Sequence, residues 1–394
     1  MRIVVVGASA AGLTTVEALR SGGFDGELTL IGAEPHLPYD RPPLSKAVLS
    51  GDLDAAGVTL LAADRWPQLE VDLRLGVAAT GLDLDAKIIG LADGATVAYD
   101  RLVIATGVRP RRLDPGADDH DAVQVLRTVD DALTLRQRAL ASTRVLIIGA
   151  GFLGTEIAAS LTKQDVPVVL VDPAPGPLAA LGPDLSAMIA DLHREHGVDL
   201  RCGVAVTGFE PHPHGRAARL SDGSTVITDC VVAAIGAEPV TDWLAGSGLE
   251  LSAGVVCDDR LLAAPDVYAA GDVAAWPDPD GGRPIRVEHR MNATEQAIRV
   301  ARNLLGADEP YAPTSYFWTD QYDLKLQSYG TFRPEDPRQL VQGSLADRRF
   351  VALVRRGDRV AGAIGCGLPR DLLRYRRLVA ARAPWAEAVA AEAS

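Results

Sequence analysis

Cysteine is scarce in this chain of 394 residues: there are four, Cys202, Cys230, Cys257 and Cys366, and none pairs with another as CxxC or CxxxxC. That spacing argues against a redox-active disulfide of the usual local kind and against a zinc or iron–sulfur site built within the chain, so no metal is expected and all four read as buried, small apolar side chains. Lysine is scarcer than arginine, with only Lys46, Lys87, Lys163 and Lys325. Positive charge is in deficit as well, since 39 basic against 52 acidic residues leave −13, which argues against nucleic acid as the main partner. No apolar run approaches the ~18 uninterrupted residues of a membrane span, so no membrane partner is expected. The start from Met1 to Leu19 has the look of an export signal, but the glycine spacing inside it favours a folded segment and a cytoplasmic protein.

What the chain does have is two glycine-rich turns of one kind, 142 residues apart. The first follows Ile3-Val4-Val5-Val6 and reads Gly7-Ala8-Ser9-Ala10-Ala11-Gly12, with Glu34 beyond a second apolar run. The second follows Val145-Leu146-Ile147-Ile148 and reads Gly149-Ala150-Gly151-Phe152-Leu153-Gly154, with Asp172 beyond Val168–Val171. Each is a strand, a tight turn, a helix, a second strand and an acid, the pattern that binds a dinucleotide. The first glycine permits the turn and the second lets the backbone approach a pyrophosphate. The third lets helix and strand pack closely, free N–H groups at the helix start hold the anion, and the acid accepts from a ribose hydroxyl. Asp172 would repel a 2′-phosphate, and Pro173-Ala174-Pro175-Gly176 supplies no arginine to hold one, so NADH is expected over NADPH.

The two units also end alike. Asp100–Gly107 and Asp229–Gly236 are strands that run into a glycine turn, which implies an internal duplication of architecture. A charged helix over Val129–Ala141 lies between them. Asp266–Asp272 is a further strand stopping at a glycine and an aspartate, and an amphipathic helix follows near Asn292–Leu305. After Pro310 aromatics concentrate and short alternating runs appear at Gln339–Leu345, Phe350–Arg355 and Arg359–Cys366, the last two joined at Gly357-Asp358. A helix near Arg370–Ala383 closes this part, and the tail from Trp385 has little to bury. Ten arginines against two acids between Arg348 and Arg382 fit a solvated face, or a docking surface for an acidic partner.

The glycine-rich start, Glu34, Pro38–Lys46, Ala105-Thr106-Gly107, the second glycine-rich turn, Gly271-Asp272 and Phe317–Gln321 occur in one order along the whole chain. In these the chain resembles the FAD-dependent, NADH-linked ferredoxin reductases of bacterial cytochrome P450 and ring-hydroxylating dioxygenase systems. The resemblance implies an α/β fold with two Rossmann-like dinucleotide-binding domains, as in glutathione reductase, and a small α+β C-terminal domain. Residues 1–111 and 240–310 would bind FAD, 112–239 would bind NADH, and 311–394 would form the third domain. The cofactors implied are FAD and NADH. The partner implied is an acidic [2Fe-2S] ferredoxin that feeds a cytochrome P450 or a Rieske-type oxygenase. Hydride would pass from NADH to flavin N5 and leave as single electrons.

Carried over position by position, the resemblance puts Ala11 and Glu34 at the adenosine half of FAD, Arg41 near its phosphates, and Val77 at the adenine through its backbone. Arg127 would reach the cofactor, Asp272 would accept from the ribitol, and the backbone near Arg290 would face the flavin pyrimidine edge. Gly7, Gly12, Ala105, Thr106, Gly107 and Gly271 complete that site. Gly149, Gly151, Gly154, Gly236 and Asp172 would hold NADH. The catalytic candidates are Lys46 beside the flavin ring, Glu156 near the nicotinamide, and Trp318 at the flavin or the exit surface. From the residues alone, Asp272 could equally cap a helix, Glu156 could answer a helix dipole, and Trp318 could pack in a core. Two departures stand out: Ser9 replaces the second glycine of the first turn, and Arg290 stands where an aromatic is usual. A flavin disulfide or peroxide reductase would need a cysteine that Arg41–Leu49 lacks. A rubredoxin reductase, or a redox-sensing flavoprotein without rapid turnover, remains an alternative.

Overall fold

In the computed structural model, which describes residues 1–113, 123–278 and 281–390, the β-branched run after Met1 becomes strand Arg2–Val6. It sits inside a sheet with parallel neighbours on both sides, Val4 opposite Thr29 and Leu102, so its side chains face packing on both surfaces and Ile3, Val4 and Val5 are fully buried. The strand order is Leu262–Ala264, Val267–Ala269, Arg101–Ile104, Arg2–Val6, Glu27–Ile31, Val71–Arg74. Helix Ala10–Ser21 packs Leu13, Val16 and Leu19 against this sheet together with Ala297, Val300 and Leu304 of helix Arg290–Leu304.

The second glycine turn repeats the plan. Val145–Ile148 lies between Val168–Asp172 and Cys230–Ala233, Leu146 opposite Val169 and Val231, in a parallel five-stranded sheet. Each repeat also carries a three-stranded antiparallel meander before its last strand, Ala79–Ala98 in one and Val206–Thr228 in the other. The duplication read from the endings is therefore present in the fold. Helix Val129–Leu140 opens with a full capping box, Thr128 accepting from the Asp131 N–H and Asp131 from the Thr128 N–H.

The C-terminal part is an antiparallel five-stranded sheet in the order Tyr316–Gln321, Leu324–Gly330, Arg359–Cys366, Arg349–Arg356, Arg338–Ser344. Phe350, Ala352 and Val354 face helix Pro183–Glu195, while Val351 and Leu353 face helix Pro369–Ala380, so a period of two is hidden inside one continuous apolar run. The tail is more ordered than its composition suggests: Trp385–Ala390 is a helix whose Ala388 is fully buried, and residues 391–394 lie outside the described residues. By contacts the chain forms two compact units. One comprises Met1–Asp40, Ala56–Arg109 and Ala237–Pro313, the other Arg41–Ala55, Pro110–Gly236 and Thr314–Ser394.

Candidate functional site

In the first unit the glycine turn is a cradle that no side chain could enter. Gly7 has φ +120°, and a Cβ there would lie 2.0 Å from the Ala105 carbonyl oxygen; a Cβ on Gly12 would lie 1.9 Å from that of Gly7. Ser9 caps the helix at φ −125°, a conformation open to any residue, and its hydroxyl makes no cap hydrogen bond. The departure from glycine thus leaves the backbone unstrained and a hydroxyl at the anion-facing helix start. Thr106 donates to the Val240 carbonyl at 2.8 Å and the Gly107 carbonyl accepts from the Val240 N–H at 3.0 Å, which fixes the turn beside Gly7. Glu34 accepts from the Tyr39 hydroxyl. The Val77 N–H is committed to the Gly32 carbonyl at 3.1 Å, so a base met here through the backbone would use the Val77 carbonyl.

Gly271 approaches Ala11 so closely that a Cβ would sit 3.0 Å from the alanine methyl, and its N–H donates to Gln296 Oε1 at 2.7 Å. Gln296 is fully buried, and its Nε2 has no partner in the structure. Asp272 follows in a turn, and no helix begins there, so the capping role is removed; its carbonyl accepts from Arg286. Arg290 begins helix Arg290–Leu304 and pairs with Asp40 at 2.5 Å, so the unusual arginine arrives with its own counter-charge.

In the second unit Gly149 has φ +105°, and a Cβ on Gly154 would lie 1.8 Å from the Gly149 carbonyl oxygen. Gly151 differs, because at φ −73° a side chain is conformationally allowed and nothing lies within 4 Å of where it would point. That space, at the start of helix Phe152–Thr162, is where an anion would be met by free N–H groups. Asp172 is held on both oxygens, by the Ala150 N–H at 2.6 Å and the Ala174 N–H at 2.7 Å. Gly236, at φ +97°, accepts on its carbonyl from the Arg111 N–H.

The same unit contains a polar cluster that only its catalytic candidates foreshadow. Lys46 Nζ lies 2.7 Å from Glu156 Oε2, with the two side chains 20% and 8% exposed. Ser45 donates to the same oxygen at 2.6 Å, and Thr319 donates to Oε1 at 2.7 Å. Glu156 is the fifth residue of its helix, past the first turn, so a helix-dipole role is weak where a paired, thrice-donated carboxylate is evident. Trp318, beside Thr319, is in none of the apolar cores formed among the described residues and stacks on Tyr316 at 5.9 Å between ring centres. Arg41 donates to the Arg127 carbonyl, and the Arg127 N–H donates to Asp131. Ser45, Thr319 and Gln321 were visible only as members of motifs; their contacts span 111 and 163 positions, beyond any local signal.

All four thiols are free, and burial pushes Cys230 and Cys366 up to about 11 and Cys257 to about 12, which holds them protonated and inert. Cys202 departs from the sequence reading, being only half-buried, at the end of the strand beside Asp172. Much of the arginine run is committed within the fold. Arg348 pairs with Glu195, Arg356 with Asp336, and Arg355 and Arg376 stack over Trp385 and Tyr329. Among the described residues, no helix is long and apolar enough to cross a membrane.

The two cradles fit two dinucleotides on structural grounds: backbone closed against any side chain, open space at Gly151, and a buried, unpartnered amide nitrogen on Gln296. Comparison with known proteins agrees. Residues 1–299 match the pyridine nucleotide-disulphide oxidoreductase model, and 316–394 match a reductase C-terminal model. The chain is 38% identical over 386 residues to the ferredoxin reductase component of chlorobenzene dioxygenase from Cupriavidus sp. (strain PS12), covering 97% of this chain and 93% of that one. It is 33% identical over 390 residues to putidaredoxin reductase of Pseudomonas putida, covering 97% and 92%. The solved covalent complex of putidaredoxin reductase with putidaredoxin superposes with a TM-score of 0.92 at 32% identity, over 100% of this chain and 99% of that one. With two dinucleotide cradles, a reductase C-terminal sheet and no redox-active cysteine pair, the chain belongs to the pyridine nucleotide-disulphide oxidoreductase family, among its ferredoxin reductases.

Proposed function

We propose that this chain is an NADH-dependent, FAD-containing ferredoxin reductase, acting in the cytoplasm and passing electrons to a [2Fe-2S] ferredoxin that serves a cytochrome P450 or a Rieske-type oxygenase. The observation that carries the reading is the presence of two dinucleotide cradles together with a paired Lys46 and Glu156 where the disulfide reductases need cysteine. Residues 1–111 and 240–310 are the FAD-binding part, 112–239 the NADH-binding part, and 311–394 the C-terminal domain. A bound flavin supplies the exchange between a two-electron hydride donor and one-electron carriers.

The chain's own residues bind, select and orient. In the first cradle, Gly7, Ala11 and Gly12 leave backbone room for a pyrophosphate, and Ser9 adds a hydroxyl donor. Glu34 and Asp272 offer carboxylates for hydroxyl groups. In the other compact unit Arg41 and Arg127, joined by the Arg41 bond to the Arg127 carbonyl, are cations of the kind that answers phosphate charge. In the second, Gly149, Gly151 and Gly154 form the anion site, while Asp172, fixed by two N–H donors, accepts from an adenosine ribose and repels a 2′-phosphate. Glu156 stands five residues, about 7.5 Å of helix rise, past the Gly151 cap, beyond the pyrophosphate end of a bound dinucleotide. Its ion pair with Lys46 sets two opposite charges in fixed positions, which favours one orientation of a polar nicotinamide.

The test is NADH-driven cytochrome c reduction by the purified yellow protein, with and without an added [2Fe-2S] ferredoxin. Strong stimulation by the ferredoxin is the expected result. Slow flavin reduction without stimulation by several ferredoxins would overturn the reading in favour of a rubredoxin acceptor or a sensing role.

A further inference from the structure

One amide ties together three elements of the second unit. Gln321 closes the Phe317–Gln321 run with its side chain fully buried. Its Nε2 donates to Thr155 Oγ1 at 2.9 Å and to Thr319 Oγ1 at 3.2 Å, and its Oε1 faces His193 Nε2 at 2.9 Å. The direction of every bond is determined. Thr155 spends its proton on the Gly151 and Phe152 carbonyls, so it must accept from Gln321. Thr319 spends its proton on the Glu156 carboxylate, which can only accept, so it too must accept from Gln321. Gln321 Oε1 therefore takes the His193 Nε2 proton, and His193 Nδ1 accepts from the Tyr322 hydroxyl at 3.2 Å.

We propose that Gln321 is a positioning residue for the hydride step, acting through Thr319 on the Glu156–Lys46 pair. By filling the acceptor site of the Thr319 hydroxyl, the amide leaves that proton one destination, Glu156 Oε1. Glu156 is then held by Thr319 on Oε1 and by Ser45 and Lys46 on Oε2, so the carboxylate cannot rotate away from the lysine. The same amide docks Thr155, which bonds the Gly151 carbonyl at the anion site, so one side chain keeps the anion site and the ion pair in a fixed relation.

The kinetic arm of the test rests on the proposed function, whereas the spectroscopic arm does not. In the FAD-loaded protein, Gln321→Met removes both donors at similar volume, and Thr319→Val removes the hydroxyl. Gln321→Met is expected to slow anaerobic flavin reduction by NADH roughly tenfold or more while changing the NADH Kd far less. Because part of the Gln321 effect runs through Thr319 and part through Thr155, the double variant is expected to be slower than Thr319→Val by much less than Gln321→Met is slower than wild type. With only four lysines in the chain, reductive 13C-methylation gives a readable NMR spectrum, and Lys46→Arg assigns the Lys46 signal. That signal is expected to move alike in Gln321→Met and Thr319→Val, while Lys87, paired with Asp266, stays in place. Additive rate losses, or an unmoved Lys46 signal in a Gln321→Met protein of normal FAD content, would overturn the inference. A wild-type protein that NADH does not reduce would instead overturn the proposed function and leave the NMR result to decide the role of Gln321.

Discussion

Lys46 and Glu156 are 110 positions apart, yet Nζ and Oε2 meet at 2.7 Å in surroundings that leave the carboxylate 8% exposed. Removing one member of a pair this buried leaves the other charge without compensation. Glu156→Gln preserves shape and is expected to slow flavin reduction by NADH about tenfold to a hundredfold, with FAD content unchanged. Lys46→Met is expected to cost about 2 kcal/mol, the lysine's partial exposure tempering the full buried-pair figure. Denaturant midpoints at constant slope measure the second effect and stopped-flow absorbance the first. Wild-type rates in Glu156→Gln would show the pair to be structural.

Two glycines of the second turn, Gly151 and Gly154, are expected to separate by function. Gly154→Ala places a methyl 1.8 Å from the Gly149 oxygen, so helix and strand must part, with a fall in stability of about 2 kcal/mol or more. Gly151→Ala meets nothing within 4 Å at an ordinary φ, so the melting temperature is expected to hold while NADH affinity falls about tenfold, because the methyl occupies the anion's space. Ser9→Gly in the first turn serves as the mirror experiment, losing only a hydroxyl. Calorimetry and NADH titration of the three variants check this. An alanine at Gly151 that binds NADH normally would place the anion elsewhere.

Strand, turn and helix at both cradles were legible because their cause is local: a β-branched run buried on two faces, then glycines where a Cβ would meet a carbonyl. The C-terminal sheet was legible through its alternating runs and the Gly357-Asp358 turn. Three features were not. From the sequence Glu156 could answer a helix dipole, whereas the helix is capped at Gly151, which makes Glu156 the fifth residue and puts it past the first turn. Asp272 had the preceding glycine of a helix cap, but a turn intervenes before helix Arg290–Leu304. The network around Gln321 joins side chains from distant strands and helices through single hydroxyls, and such contacts leave no period or spacing in the sequence.

If Asp172 faces the adenosine ribose as proposed, the nicotinamide preference is a question of charge. Both oxygens are pinned by backbone N–H groups, so the carboxylate cannot swing aside to admit a 2′-phosphate. Asp172→Ser combined with Ala174→Arg removes the repulsion and supplies a cation. The ratio of kcat/KM for NADH over NADPH is expected to fall about a hundredfold, or roughly 3 kcal/mol of discrimination. An unchanged ratio would show that Asp172 does not face the adenosine ribose.

His193 gives the fold a pH dependence of predictable sign. Burial pushes it down from 6.5 to about 4; the bond with Gln321 opposes the shift and nearby His196 adds to it. Above pH 6.5 the ring is neutral whether the chain is folded or not, and its neutral-state bonds are fully present. Between 6.5 and about 4 the unfolded chain binds a proton that the folded chain refuses, so stability falls as pH falls through that window, by on the order of 3 kcal/mol when fully crossed. His193→Gln keeps a donor toward Gln321 and an acceptor toward Tyr322 but cannot titrate. Its unfolding free energy is expected to be lower than wild type at pH 7 and to lose less between pH 7 and 4.5. Urea titrations at several pH values decide it: parallel curves for the two proteins would mean that the buried ring accepts a proton without cost, and that its bonds to Gln321 and Tyr322 are not the ones that hold the helix and strand together.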